Sequence, residues 1–167
     1  MTTIAIIPAR GGSKGIPRKN LAMLNHQPLI AYSIQAAFQA KDIDHVVVST
    51  DAPEIADVSR ALGAEVPFMR PPALAADDTP MLSVLLHALD WYEAKGISLE
   101  TVILLQPTSP FRTGSHIDDV IKLFRLHKPS SVVSVMEVPH SFNPVSVLKI
   151  GAFMDIPNSE FILLQTW

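Results

Sequence analysis

The sequence predicts an α/β protein whose mostly parallel sheet is covered by helices on both faces. Three observations favour this fold class. Short apolar runs alternate along the chain with longer amphipathic segments. The strands read as nearly continuous apolar runs, which is typical of parallel strands buried on both faces. Each strand and its helix together take roughly 30 residues, the length of a βαβ crossover unit. We therefore expect a Rossmann-like, three-layer, doubly wound arrangement.

The apolar runs predict five strands. The first is expected near the centre of the sheet because it is apolar on both faces. The tail from Pro139 to Trp167 is less regular, although Phe161 to Leu164 is apolar enough to pack as a terminal strand. The five strands are Thr3 to Pro8, His45 to Ser49, Glu65 to Phe68, Thr101 to Leu105 and Ser131 to Val138.

Four helices are expected between these strands. Side chains that can cap a helix mark three of the N-terminal ends, at Asp51, Thr79 and Ser115. Glycine suits the left-handed conformation that ends many helices, and Gly63 and Gly96 lie at such ends. The apolar stripes include Phe38, Leu82 and Leu86, which we expect to be buried. The helices span Pro28 to Ala40, Asp51 to Leu62, Thr79 to Lys95 and Ser115 to His127.

Composition excludes several classes of protein. With 167 residues, 48% hydrophobic and 17% charged, the chain suits one globular domain with a hydrophobic core. A net charge of -3 argues against non-specific binding of nucleic acid. The absence of cysteine excludes disulfides, thiolate metal sites and a cysteine nucleophile. No apolar run approaches the ~18 residues of a membrane span or forms a signal-peptide core, so a cytoplasmic protein without a membrane partner is expected.

A loop rich in glycine and cationic side chains follows the first strand. The backbone N–H groups of such a loop can face an anion while the cations neutralise it. The glycines do not have the G-x-G-x-x-G spacing, and no G-x-x-x-x-G-K-[ST] occurs, which disfavours a dinucleotide dehydrogenase and a P-loop ATPase. A small polyphosphate is the expected ligand, and a surface loop with solvated charges is the alternative. The cationic side chains are Arg10, Lys14, Arg18 and Lys19.

Polar residues also follow the later strands of the predicted sheet. Asp51, Arg70 and Gln106 each come after an apolar run. Ligands of parallel α/β sheets bind beyond the carboxyl ends of the strands, so these residues are expected to converge with the first loop on one crevice. Asp51 has two open interpretations, as a helix cap or as a member of this site.

Five segments of the chain resemble the acylneuraminate cytidylyltransferases, the enzymes that activate nine-carbon acidic sugars. The resemblance implies the nucleotide-diphospho-sugar transferase fold and a Mg²⁺-dependent reaction of CTP with a 2-keto-3-deoxy sugar acid, which gives the CMP-sugar and pyrophosphate. The matching segments are I-P-A-R-G-G-S-K-G-I-P-R-K-N at Ile7 to Asn20, V-S-T-D at Val48 to Asp51, R-P at Arg70-Pro71, D-D-T at Asp77 to Thr79 and L-L-Q-P-T-S-P-F-R at Leu104 to Arg112.

The same resemblance implies roles for individual residues. Catalytic residues that hold the triphosphate are Arg10, Lys14 and Lys19. Gln106 faces the sugar acid, whereas Arg18 and Arg112 are interpreted as solvent-exposed and receive no role. Nucleotide-binding residues are Pro8, Ala9, Gly11, Ser13, Asn20, Arg70 and Ser83.

Members of the family are longer than this chain, and their later part forms a dimerisation and sugar-binding region that ends with a Mg²⁺-binding pair of aspartates. Asp155 stands alone in F-M-D-I-P and does not reproduce that pair, so the metal ligands are unknown. We expect residues 1–138 to form the nucleotide-binding domain and 139–167 to begin the truncated region, with a homodimer as the family assembly. The alternatives are an eight-carbon 3-deoxy-manno-octulosonate cytidylyltransferase and a catalytically silent nucleotide-binding protein.

Overall fold

A computed structural model describes residues 2–13 and 15–134 and the backbone of residues 160–164. Its elements alternate between strand and helix for most of the chain. The strands are β1 (Thr3–Pro8), β2 (Met23–Leu24), β3 (Gln27–Pro28), β4 (His45–Ser49), β5 (Thr101–Leu105), β6 (Ser131–Val133) and β7 (Glu160–Leu164). The helices are α1 (Leu29–Gln39), α2 (Pro53–Ala61), α3 (Met81–Ala94) and α4 (Gly114–His127), with short 3₁₀ helices at Lys19–Leu21 and Pro72–Leu74.

Five of these strands form one parallel sheet in the order β4-β1-β5-β7-β6, and β2 pairs with β3 in a separate antiparallel hairpin. β1 is an inner strand, as predicted, with Pro8 opposite Ser49 of β4 and Ile6 opposite Leu104 of β5. The predicted terminal strand is also confirmed, since β7 pairs with both β5 and β6. The polar residues that follow β1, β4 and β5 therefore lie at the same edge of the sheet.

Two hydrophobic clusters cover the two faces of the sheet, because successive side chains of a strand point in opposite directions. On one face, Ala5 and Ile7 of β1 pack with residues of α1, α2 and α4. On the other face, Ile4 and Ile6 pack with Leu85 and other residues of α3. This confirms the predicted three layers. Among the described helices, none combines the length and apolar character needed to cross a membrane.

Two predicted strands are shorter than expected. The segment Glu65 to Phe68 makes only an isolated bridge, between Glu65 and Val47 of β4. Within the described residues the last predicted strand is limited to Ser131–Val133, and its predicted continuation, 135–138, lies outside them. A short apolar run has no side-chain pattern that fixes how far it pairs, and the neighbouring strand decides this.

Of the two interpretations of Asp51, the helix cap is wrong, and so is the predicted cap of α3 at Thr79. Ala52 occupies the N-cap position of α2, whereas Asp51 lies one residue earlier and contacts another loop. Pro80 occupies the N-cap position of α3 in an extended conformation, so the helix begins one residue after it. Thr79 lies before the cap, and its hydroxyl donates to the carbonyl of Ala73 at 3.5 Å.

The predicted cap of α4 is also wrong, but here the observed cap lies earlier in the chain than the predicted one. Thr113, and not Ser115, is the N-cap, and its hydroxyl accepts the backbone N–H of His116. The His116 side chain in turn accepts the backbone N–H of Thr113, which completes a capping box. Histidine at this position is not the acidic residue that the usual pattern requires, which is why the sequence pattern missed it.

Glycine at the ends of α2 and α3 behaves as predicted, since Gly63 and Gly96 have positive φ values of 90° and 74°. The apolar stripes are narrower than predicted. Phe38, Leu82 and Leu86 are 53%, 41% and 40% exposed, respectively, so the expectation that they are buried is wrong. A helix that packs on a sheet buries one stripe, and these side chains lie at its margins.

Candidate functional site

The glycine-rich loop begins at the carboxyl end of β1 and is tied to the end of β4. The N–H of Ala9 donates to the carbonyl of Ser49 at 2.9 Å, which extends the pairing of the two strands beyond Pro8. The N–H of Gly11 then donates to Oδ1 of Asp51 at 2.9 Å. A Cβ at Gly11 would lie 2.9 Å from the Cβ of Ala52, so only glycine allows this close approach.

The other end of the loop is closed by Asn20. This side chain is 6% exposed, and its Nδ2 donates to the carbonyl of Arg10 at 2.9 Å. Asn20 belongs to the 3₁₀ helix Lys19–Leu21, which Arg18 precedes in a left-handed conformation with φ of 50°. Asn20 therefore holds the backbone of Arg10 in place from the far end of the loop.

The Arg10 side chain forms an ion pair with a second loop. Its guanidinium lies 2.5 Å from Oδ1 of Asp77, in the segment between Pro72–Leu74 and α3. The two side chains are 29% and 42% exposed, so solvent reaches this pair. The contact between Arg10 and the D-D-T segment joins distant parts of the chain, so no local sequence pattern predicts it.

Arg70 is buried beneath the same edge of the sheet, with 5% of its surface exposed. Its Nε donates to the hydroxyl of Ser49 at 3.1 Å, and its guanidinium also donates to the carbonyl of Ser49. The N–H of Arg70 donates to the carbonyl of Thr50 at 2.7 Å. Arg70 is therefore fixed against the end of β4, the strand that also holds the glycine-rich loop.

Burial lowers the pKa of Arg70 to about 10. The Asp51 carboxylate opposes this shift and the Arg10 guanidinium adds to it. Arg10 and Arg70 are thus close enough to repel each other, while Asp51 attracts Arg70. Because a pKa of about 10 lies well above neutral, Arg70 remains charged there. Two cations are brought together at a glycine-rich loop, an arrangement that suits an anion with more than one charge.

Gln106 follows β5, on the opposite side of β1 from β4. Its carbonyl accepts the hydroxyl of Ser33 at 3.4 Å and the N–H of Ser109 at 3.2 Å. These bonds turn the chain sharply after the strand and leave the Gln106 side chain half-buried at the edge of the sheet. Gln106 therefore lies beside the glycine-rich loop in the fold, as the strand order requires.

The structure brings together most of the predicted site residues, and their roles remain predictions. Ser13 and Lys19 are half-buried in the loop itself. Ser83 is half-buried in the first turn of α3, and the hydrogen bonds of the described residues do not connect it to the loop. Lys14 lies outside the described residues. The residues that hydrogen bonds or strand pairing join at the end of β1 and β4 are Pro8, Ala9, Arg10, Gly11, Asn20 and Arg70.

Two cationic residues had been interpreted as exposed, and only one of them is. The Arg18 side chain is 75% exposed, as expected. Arg112 is 7% exposed, and burial lowers its pKa to about 10, so the interpretation is wrong for this residue. The N–H of Arg112 donates to the carbonyl of Ser109 at 3.4 Å, and this turn folds the loop inward. The neighbouring residues give no signal for that burial, since most of them are polar or proline and the apolar Phe111 is itself 85% exposed.

The described residues were also tested as a metal site. No three Asp, Glu or His side chains within them gather in a way that would hold a metal ion. The carboxylates that touch the loop already have partners, Gly11 for Asp51 and Arg10 for Asp77. Within the described residues, therefore, no side chains are assigned as ligands of a metal ion.

Replacing Arg70 with methionine is expected to change the free energy of unfolding by less than about 1 kcal/mol. The lowered pKa corresponds to an unfavourable free energy of the charged form on the order of 3 kcal/mol, which methionine removes. The Ser49 hydroxyl loses its donor and the Ser49 carbonyl keeps only the N–H of Ala9, at a cost of about 1–3 kcal/mol, so the two effects nearly cancel. Urea denaturation measures the difference, and a loss above about 3 kcal/mol would contradict this balance.

The pH dependence of stability gives a second check on Arg70. The unfolded chain keeps the arginine proton to higher pH than the folded chain, because the pKa of Arg70 is lowered on folding. The unfavourable free energy of burying the charged Arg70 is therefore fully present at neutral pH, and it is relieved as the pH rises above about 10 and the folded chain loses the proton. The methionine variant should lack this alkaline gain relative to the parent chain.

Comparison with known proteins supports one family for this geometry. The family model for cytidylyltransferases matches residues 4–148. The N-acylneuraminate cytidylyltransferase of Escherichia coli O18:K1:H7 is 44% identical over 162 residues, 95% of this chain and 38% of that protein. The CMP-N,N'-diacetyllegionaminic acid synthase of Legionella pneumophila is 40% identical over 138 residues, 83% of this chain and 59% of that protein. The chain thus spans less than two thirds of the length of either relative.

Solved structures agree on the fold. CMP:2-keto-3-deoxy-manno-octonic acid synthetase, solved in complex with CTP, superposes with a TM-score of 0.67 at 21% identity. The matched region is 81% of this chain and 52% of that one. A cytidylyltransferase from Leptospira borgpetersenii gives a TM-score of 0.61, also at 21% identity, over 78% of this chain and 51% of that one. With a family model over most of its length and the parallel sheet that this fold requires, the chain belongs to the cytidylyltransferase family.

Proposed function

We propose that the chain is the nucleotide-binding part of an enzyme that transfers CMP from CTP to the anomeric hydroxyl of an acylneuraminate-type nine-carbon sugar acid, with release of pyrophosphate. The observation that carries the proposal is the convergence of Arg10, Arg70 and the Gly11 loop at one edge of the sheet. The relatives described above, which are named for this kind of transfer, support the same assignment.

The proposed chemistry needs positioning and charge neutralisation more than it needs a proton carrier. The sugar hydroxyl attacks the α-phosphate of CTP in line, the bond to the β-phosphate breaks, and the negative charge of the leaving pyrophosphate grows. Arg10, Lys14 and Lys19 are proposed to stabilise that charge. The guanidinium of Arg10 suits this role because it stays charged and can donate two parallel hydrogen bonds to a phosphate, and each lysine adds a further positive charge.

The remaining residues are proposed to orient the two substrates. Asn20 and Arg70 seat the nucleotide, and Ser83 is a further proposed contact. Gln106, on the other side of β1, faces the sugar acid. The backbone at Pro8, Ala9, Gly11 and Ser13 approaches the nucleotide, for which the rigid pairing of β1 with β4 provides a fixed platform. Mg²⁺ is proposed as the counter-ion of the triphosphate on the strength of the family resemblance alone.

The choice of sugar acid is the finer part of the proposal. The relatives include a pseudaminic acid cytidylyltransferase of Campylobacter jejuni, 39% identical over 66% of this chain, beside those named for acylneuraminate and legionaminic acid. The solved synthetase for the eight-carbon acid is only 21% identical to this chain, which supports a common fold only. We therefore favour the nine-carbon class, and we further propose that the protein works in the cytoplasm, as a homodimer, in the synthesis of sugar nucleotides.

An activity assay with a substrate panel tests this proposal. Purified chain is incubated with CTP, Mg²⁺ and, separately, N-acetylneuraminic, legionaminic, pseudaminic and 3-deoxy-manno-octulosonic acids. We expect pyrophosphate release and a CMP-sugar, identified by mass spectrometry, with at least one nine-carbon acid. Product from the eight-carbon acid alone would favour that alternative. CTP binding with no product from any acid would support the silent nucleotide-binding protein.

A further inference from the structure

The Arg10–Asp77 ion pair places a negative group of the protein itself on a cation that the proposed function assigns to the triphosphate. Asp77 reaches Arg10 from a loop that is distant in sequence, at 2.5 Å. A carboxylate so close to the proposed phosphate position repels a phosphate, and both cannot use the same donors of one guanidinium. The contact therefore belongs to the site without nucleotide.

Two carboxylates lie beside the two arginines in this state. Arg10 and Arg70 repel each other, and Asp51 and Asp77 supply the opposing charge. A triphosphate brings more negative charge than Asp77 does and offers several oxygens to each guanidinium. When a phosphate takes the Arg10 guanidinium, the carboxylate that occupies it has to move away.

Asp77 occupies the Arg10 guanidinium and is more exposed than Asp51. Asp51 is half-buried, follows directly on β4 and accepts the N–H of Gly11. Asp77 is exposed, and the backbone hydrogen bonds around it, such as that from Thr79 N–H to the carbonyl of Ala76 at 3.3 Å, lie within its own loop. Moving Asp51 would release the glycine-rich loop, whereas the backbone around Asp77 is bonded within its own loop.

We propose that Asp77 holds Arg10 in the nucleotide-free site and that the CTP triphosphate displaces it, so that binding of the nucleotide releases the loop between residues 71 and 80. The inference rests on the proposed function and adds a competing internal anion to it. A half-exposed ion pair stabilises the nucleotide-free site by up to about 1 kcal/mol. Competition from Asp77 should therefore weaken CTP binding by up to about 5-fold.

Asp77→Asn tests the inference, and Asp78→Asn is its matched control. Asp78 is an exposed neighbour in the same loop, and its replacement removes the same charge without breaking the contact with Arg10. Calorimetric titration with CTP, and separately with inorganic tripolyphosphate, measures the dissociation constant of each variant. We expect Asp77→Asn to bind about 3-fold more tightly than Asp78→Asn. In an Arg10→Met background this difference should shrink.

The outcomes separate the inference from the proposed function. If the parent chain binds CTP, and Asp77→Asn binds it no more tightly than Asp78→Asn, the displacement is refuted and the proposed function stands. Weaker binding by Asp77→Asn also refutes it, since Asp77 then assists the nucleotide. If neither CTP nor tripolyphosphate binds the parent chain, the proposed function fails and the inference fails with it.

Discussion

Replacing Arg10 with methionine is expected to weaken CTP binding by about 10- to 100-fold, the effect of removing one charge-assisted hydrogen-bonding group. The Arg10 backbone is held by Asn20, and methionine keeps much of the side chain's length, so the loop should keep its shape. The ion pair with Asp77 is half-exposed, so its loss should cost at most about 1 kcal/mol of stability. Isothermal titration calorimetry measures the affinity, and thermal unfolding checks the fold.

Arg18→Met is the matched control for Arg10→Met. Arg18 belongs to the same loop, its side chain is 75% exposed, and its contact with Glu54 is long, at 3.8 Å. The substitution removes the same charge from nearly the same region. Because the Arg18 side chain is largely exposed to solvent, we expect a loss of CTP affinity below about 3-fold. Equal losses for the two variants would mean that the net charge of the loop, and not the position of Arg10, determines binding.

Gly114→Ala is expected to lower the free energy of unfolding by about 2–3 kcal/mol through overpacking between α1 and α4. A Cβ at Gly114 would lie 2.6 Å from the carbonyl carbon of Gln39 and 2.9 Å from the N of Ala40. These are backbone atoms, which cannot rotate away as a side chain does. The gain in helix propensity from alanine, at most about 1 kcal/mol, is too small to offset the clash.

Gly12→Ala controls for the general effect of glycine replacement. A Cβ at Gly12 has no neighbour within 4 Å, and Gly12 is not among the residues with positive φ. The free energy of unfolding of Gly12→Ala, measured by urea denaturation, should therefore stay within about 0.5 kcal/mol of that of the parent chain. A similar loss in both variants would argue against the close packing of α1 and α4.

The fold was predictable because its main signals are local. The boundaries of β1, β4 and β5 agree with the apolar runs from which they were predicted, since strands buried on both faces have no polar positions inside them. The glycines after α2 and α3 were predictable for the same reason, because a left-handed residue that ends a helix is a local feature.

The partners of the site residues were harder to predict. Aspartate is a common helix-capping residue, so the sequence alone allowed that role for Asp51. The pairing of β4 with β1 places its carboxylate on the N–H of Gly11 instead. The contact of Arg10 with Asp77 and the burial of Arg112 likewise depend on loops that meet in the fold. The sequence thus predicted which residues reach the edge of the sheet, but not which of them pair there in the absence of nucleotide.

The most direct test of the central claim is a titration of the ¹⁵N-labelled chain with CTP, followed by amide chemical shifts in two-dimensional NMR spectra. We expect saturable shifts at Gly11, Gly12, Asn20 and Arg70, with small changes toward the C-terminal end of α4. Saturable shifts confined to another surface, such as that around Asp42 and Arg125, would contradict it. So would spectra that CTP leaves unchanged at millimolar concentration.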